Sequence, residues 1–155
     1  MRRTRFLAPL ILLTIGLAAC DDDVTGPQNP TDVSFDTSLG VTLSAMTKLD
    51  NGIYIQTLTA GQGVPVVSGD QVVVDYTLWL PSGSEIDSGS DVTFVLNPGA
   101  VIDGFRLGME GMLPGETRLI VIPSALAYGA RGNSGIPPHA VLVFRVTLNE
   151  LNPPV

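Results

Sequence analysis

The sequence is short of the residues that most often carry chemistry. It holds one cysteine and one histidine in 155 residues. Cys20, being alone, has no partner for an intramolecular disulfide. One cysteine and one histidine cannot furnish a zinc-type ligand set either, so no metal and no other cofactor is expected. Positive charge is also scarce: 8 Lys and Arg stand against 15 Asp and Glu, for a formal charge of −7. That balance argues against nucleic acid and anionic headgroups as partners. Long apolar runs are missing as well. The longest candidate, Phe6–Leu17, is too short to cross a bilayer as a mature helix.

What is present at the front reads as an address. Met1-Arg2-Arg3-Thr4-Arg5 is a basic n-region, and Phe6–Leu17 is the apolar h-region of a signal peptide. Leu17-Ala18-Ala19-Cys20 resembles the bacterial lipoprotein cleavage box, in which the cysteine thiol accepts the lipid. Residues 1–19 are therefore read as a lipoprotein signal peptide and Cys20 as the lipidation site. The expected location is the bacterial cell envelope, outside the cytoplasm, with the membrane reached through lipid on Cys20. Cleavage removes Arg2, Arg3 and Arg5, leaving five basic against fifteen acidic residues, a formal charge of −10. The acidic run after Cys20 leaves the leaflet open.

Residues 20–48 read as a lipidated, mostly disordered tether, because "DDDVTGPQNPTD" is polar and carries Pro27 and Pro30. Phe35, Leu39, Val41, Leu43 and Met46 form an apolar scatter, suited to a short segment docking on the domain. From residue 49 the pattern becomes short strands and turns, and 49–155 is read as one domain. Ile53, Ile55 and Leu58 suggest a strand; Gln71–Leu80 is β-branched and aromatic and should be a long one. "PSGSE" at Pro81–Glu85 is a hairpin turn. Further strands are expected at Asp91–Leu96, Thr117–Ile122 and Ala140–Leu151. Val101–Met112 is the only helix candidate, with Ile102, Phe105, Met109 and Met112 near helical spacing and three glycines weakening it. The fold class is α+β. Gly61-Gln62-Gly63 lacks the strand–helix context of a nucleotide fingerprint and is read as a turn.

Four motifs in order, "GD-VVVDYTLWLPSGSEIDS", "VIDGFRLGMEGMLPGE", "IPSALAYGARG" and "IPPHAVLVFRVTLNEL", make the chain resemble FKBP-type peptidyl-prolyl cis-trans isomerases over about residues 52–151. The resemblance implies an antiparallel sheet of about five strands curled around one short α-helix, with an apolar hollow between them. It implies isomerisation of X-Pro bonds in unfolded or exported polypeptides. Such a reaction needs no nucleophile, because the twisted amide has lost resonance and an apolar pocket favours it over the planar form.

Carried over by position, Tyr76 matches the pocket tyrosine and Asp87 the pocket aspartate. The N–H of Ile102 matches the donor to a substrate carbonyl, and Tyr128 the tyrosine whose hydroxyl donates to one. Val101 sits beside Ile102; Phe105 takes the place of the floor tryptophan; Ile136 and Phe144 match apolar wall positions. Ile86 and Val92 stand where many members carry aromatics, and Leu78 where glycine is usual. The Gly132–Ile136 loop is one residue shorter than in the best-known eukaryotic members. These departures support a second reading, a low-activity client-binding or chaperone lipoprotein. Glu85 and Asp91 are read as solvated charges, Trp79 as a sheet-face packing residue and His139 as a turn residue. With no dimerisation helix in view, a monomer is expected.

Overall fold

The structure, a computed structural model, describes residues 26–152. The signal peptide and Cys20 lie outside them. Six strands form one antiparallel sheet: β1 (Thr47–Lys48), β2 (Tyr54–Thr59), β3 (Gln71–Trp79), β4 (Glu85–Val95), β5 (Thr117–Ile122) and β6 (Leu142–Asn152), in the order β1-β2-β5-β6-β3-β4. The single α-helix among the described residues, α1 (Asp103–Met109), lies on one face. The α+β architecture is therefore as expected, with one strand more than five. Two bounds differ. The strand expected at Asp91–Leu96 is the second half of the eleven-residue β4, which sequence reading splits because Ser88-Gly89-Ser90 looks like a turn. The helix is shorter than Val101–Met112. Ile102 is its extended N-cap, and the chain leaves it at Glu110.

Period-two alternation sorts the side chains to two faces. On β5, Ile120 and Ile122 point to the helix side, while Leu119 and Val121 point to the back. On β6, Leu142, Phe144, Val146 and Leu148 face the helix and Val143 faces the back. Both faces are buried, which accounts for the unbroken apolar runs Leu119–Ile122 and Val141–Phe144. The helix sits close to β5 because it meets the sheet through glycine. A Cβ on Gly104 would collide with Ile122, and one on Gly108 would lie 2.5 Å from Ile120 Cγ2.

The back face is covered by residues read from sequence as tether. Residues 26–48 are not free chain: they run through short 3-10 turns at Pro30–Asp32, Thr37–Leu39 and Leu43–Ala45. Leu39 and Met46 are buried against Tyr54, Leu119, Val121, Val141 and Val143, with Val33, Phe35, Val41, Leu43 and Trp79 packed around them. The docking suited to that apolar scatter is thus realised along the whole segment, and the folded unit begins well before residue 49. Polar composition misleads here because a few apolar residues spaced among the polar ones seat the turns on the sheet.

The far end of the helix is tied by a buried ion pair. Arg118 donates to Glu116 at 2.8 Å and to the carbonyls of Gly108 and Glu110, both at 3.0 Å, satisfying the orphan acceptors at the end of α1. Glu116 also accepts from the Leu113 N–H and the Thr57 hydroxyl. Burial pushes its carboxyl up, but these donors outweigh burial and hold it below the usual glutamate value.

Candidate active site

Between α1 and the sheet lies a hollow of about 220 Å³. The pleat of β3 aims Val72 and Val74 into the core and Tyr76 and Leu78 into this hollow. β4 contributes Asp87 and Phe94, and β6 contributes Phe144. The chain entering the helix supplies Ala100, Val101 and Ile102, α1 supplies Phe105, and the turns after β5 supply Tyr128.

Phe105 forms the floor and is buried. Its ring centroid lies 5.5 Å from that of Phe94, edge-on, and 5.2 Å from that of Phe144, tilted, while Tyr76 is 5.8 Å from Phe94 and 6.4 Å from Phe144. Four rings at these spacings hold one another in place. The polar groups stand at one side. Tyr76 Oη donates to Asp87 Oδ2 at 2.6 Å, and Asp87 Oδ1 accepts from the Ser88 N–H at 2.9 Å. Burial first, then the hydrogen bond and charge of Asp87, push the Tyr76 hydroxyl up to about 12, so it stays protonated at neutral pH. The Ile102 N–H precedes the first helical hydrogen bond and so has no acceptor within the helix.

One glycine makes this arrangement possible. Gly89 pairs with Tyr76 across β3 and β4. A Cβ there would lie 2.6 Å from Val92 Cγ2 and 3.1 Å from Tyr76 Cε1, so only glycine lets the tyrosine ring lie down beside β4. Just beyond, the strand bulges. Asp91 adopts φ 53°, its N–H donates to Asp75 Oδ1 at 2.8 Å, and Asn149 bridges Asp75 and Asp91 at 3.0 Å each. Asp91 is exposed, as expected of a solvated charge, and it also locks the bulge. Glu85 is exposed and accepts from the Ser88 hydroxyl.

Seven sequence-derived residues come together on the hollow: Tyr76, Asp87, Val101, Ile102, Phe105, Tyr128 and Phe144. Ile86, Val92 and Ile136 are not among the residues that line it. Ile86 lies against Gly135 at the tip of the loop after Tyr128, and Val92 packs beside Gly89. Ile136 is buried in the core and pairs its backbone with Asn133. Leu78, Phe94 and Ala100 escaped the sequence reading. Period two would have found the first two, since Leu78 follows Tyr76 and Phe94 follows Val92 on the same faces. Ala100 carried no signal. Trp79 packs on the back cluster with Arg145 over its ring at 5.6 Å. His139 is a turn residue at φ 61° whose N–H donates to Gly129. Among the described residues no cluster of His, Cys, Asp or Glu could hold a metal ion.

Comparison with known proteins agrees with this geometry. Residues 63–149 match the family described as FKBP-type peptidyl-prolyl cis-trans isomerase. The chain is 43% identical over 102 residues to an FK506-binding protein of Neisseria meningitidis serogroup B, covering 63% of this chain and 94% of that one. Among solved structures it is similar to a peptidyl-prolyl cis-trans isomerase of Pseudomonas syringae pv. tomato, at TM-score 0.66 and 30% identity, covering 75% of this chain and 90% of the other. It also resembles FkpA of Escherichia coli, at TM-score 0.65 and 36% identity, over 70% of this chain and 52% of that one.

Proposed function

The chain belongs to the FKBP-type peptidyl-prolyl cis-trans isomerase family and is a peptidyl-prolyl isomerase; we propose that catalysis takes place in the hollow floored by Phe105, with Tyr76, Asp87, Ile102 and Tyr128 as the groups that act on the substrate. Rotation about an X-Pro bond is slow because it breaks amide resonance, at a barrier of roughly 18–20 kcal/mol. The twisted amide carries less charge on its carbonyl than the planar one. A hollow walled by Phe94, Phe105, Phe144 and Leu78 solvates the planar, polar form poorly and so favours the twisted one. The proline ring would lie on Phe105, the Ile102 N–H and the Tyr128 hydroxyl would donate to substrate carbonyls, and Asp87, held by Tyr76, would face the carbonyl before proline. The observation that carries this reading is the four-ring pocket with its single oriented carboxylate.

The client-holding alternative rests on Ile86 and Val92. The hollow nevertheless keeps Tyr76, Phe94, Phe105 and Phe144 as its aromatic lining, and this favours turnover. A protease-coupled proline-peptide assay on the purified chain tests the reading: acceleration well above the uncatalysed rate is expected, and none would overturn it.

The substrates we infer are proline-containing unfolded or exported chains, met at the cell envelope by a monomer anchored through Cys20. The cleavage box Leu17–Cys20 supports the anchor. Among the described residues no helix is long and apolar enough to cross a membrane. From Cys20 to Gln28 is eight residues, a reach of at most about 29 Å, so an anchored domain would work close to the bilayer. Labelled palmitate should enter the parent chain and not Cys20→Ser; equal labelling of both would overturn the anchor.

A further inference from the structure

Residues 26–48 cover apolar surface, but their polar ties fall on opposite walls of the pocket. Near the start, the Gln28 carbonyl accepts the Ser124 N–H at 3.0 Å. Ser124 is fully buried and opens the turn Ser124–Leu126, with Tyr128 just beyond it. Farther along, the Asp36 N–H donates to the Pro81 carbonyl at 2.8 Å. Pro81 begins the β3–β4 turn, from which β4 runs directly to Asp87. Asp36 also lies against Gly83 of that turn, where a Cβ would come 3.2 Å from its own. Beyond these two ties, Leu39 and Met46 are held in the back cluster with Trp79, which ends the strand bearing Tyr76.

We propose that residues 26–48 act as a positioning strap for isomerisation, fixing the distance between the wall that carries Asp87 and the wall that carries Tyr128. The proposal rests on the hollow being the isomerase site. Its physical ground is that both walls are soft by themselves. The β3–β4 turn stands at the free edge of the sheet, paired on one side only. The Tyr128 segment is a succession of single turns, Ser124–Leu126 and Gly129–Arg131. Acting groups need holding to within about 0.5 Å, and a misplacement of about 1 Å can cost about 100-fold in rate. The strap supplies a second mechanical connection, independent of the sheet, that closes a ring through both walls. Neither wall can swing without breaking a hydrogen bond or drawing Leu39 out of its cluster.

The decisive comparison is Asp36→Pro against Asp36→Ala in the full chain. Asp36 already has φ −60°, which proline adopts without strain, so Asp36→Pro deletes the N–H and little else of the backbone. It also deletes the side-chain cap on the Ser38 N–H at 2.9 Å; Asp36→Ala removes that cap and keeps the N–H. Well below the melting temperature, Asp36→Ala should keep the parental kcat/KM and Asp36→Pro should lose about three- to tenfold, the range of one hydrogen bond. Leu39→Ala loosens the seat of the strap on the back cluster without touching either tie. It should lower kcat/KM and speed amide exchange at Ser88 and Tyr128 while β5 amides stay protected. Should Asp36→Pro fail to fold, Leu39→Ala decides by the same two readouts. Parental kcat/KM and parental exchange in the folded variants would overturn the strap. An inactive parent would instead overturn the isomerase reading itself.

Discussion

Tyr76 shows how much one side chain can be made to do. Its ring closes an aromatic set, and its hydroxyl fixes the carboxylate of Asp87. Because burial and Asp87 raise its pKa to about 12, the folded state holds this proton more tightly than the unfolded chain does. The stabilisation is complete below the ordinary tyrosine pKa of about 10 and is lost as pH rises from there toward 12. Denaturant midpoints should therefore fall between those values in the parent and fall less in Tyr76→Phe; equal slopes would contradict the assignment. Tyr128→Phe keeps the ring and removes the hydroxyl. If that hydroxyl donates to substrate, kcat/KM should drop about three- to tenfold with an unchanged melting temperature. These residues were legible in the sequence because short motifs fix them in order. Phe94 was not, because Val92 drew attention to the neighbouring position on the same face.

The strands and the helix are placed by what they lack on their inner sides. Gly104 and Gly108 let α1 settle onto Ile120 and Ile122, and Gly104→Ala should push it away. The expected loss is about 1–3 kcal/mol, with kcat/KM falling further than stability predicts because Phe105 follows directly; a stability change alone would mean the floor does not move. Arg118 holds the other end of α1. Arg118→Ala leaves Glu116 buried without its cation, at a cost of about 3–5 kcal/mol, measurable by denaturant unfolding. Glu116 is held below its usual value, so its contribution is present above the ordinary glutamate pKa and lost as pH falls through the lowered one. β5 was read from sequence with the bounds it has, Thr117–Ile122. β4 was not, because a bulge stabilised by Asp75 and Asn149 cannot be told from a turn when its partners lie 16 and 58 residues away in the chain.

The molecule as a whole is a sheet with two cores, and the second one was hidden in plain text. Leu119–Ile122 and Val141–Phe144 are apolar at every position, a pattern that demands cover on both faces, yet only one helix was in view to give it. The cover is the stretch whose prolines and aspartates suggested disorder. Strap and sheet should accordingly unfold together. Leu39→Ala should cost about 2–5 kcal/mol and shift a single cooperative transition; a separate early transition would show the strap to be an appendage.

β4 is the last strand of the sheet, and its outer edge stands open beside a pocket proposed to take proline-containing chains. An open edge is a template on which such chains add as extra strands and aggregate. Here the template is spoiled at its middle: Asp91 turns the backbone left-handed, and Glu85, Asp87 and Asp91 place negative charge along its length. A client can therefore offer its proline to the hollow and leave again, because the strand next to the hollow gives it no ladder to join.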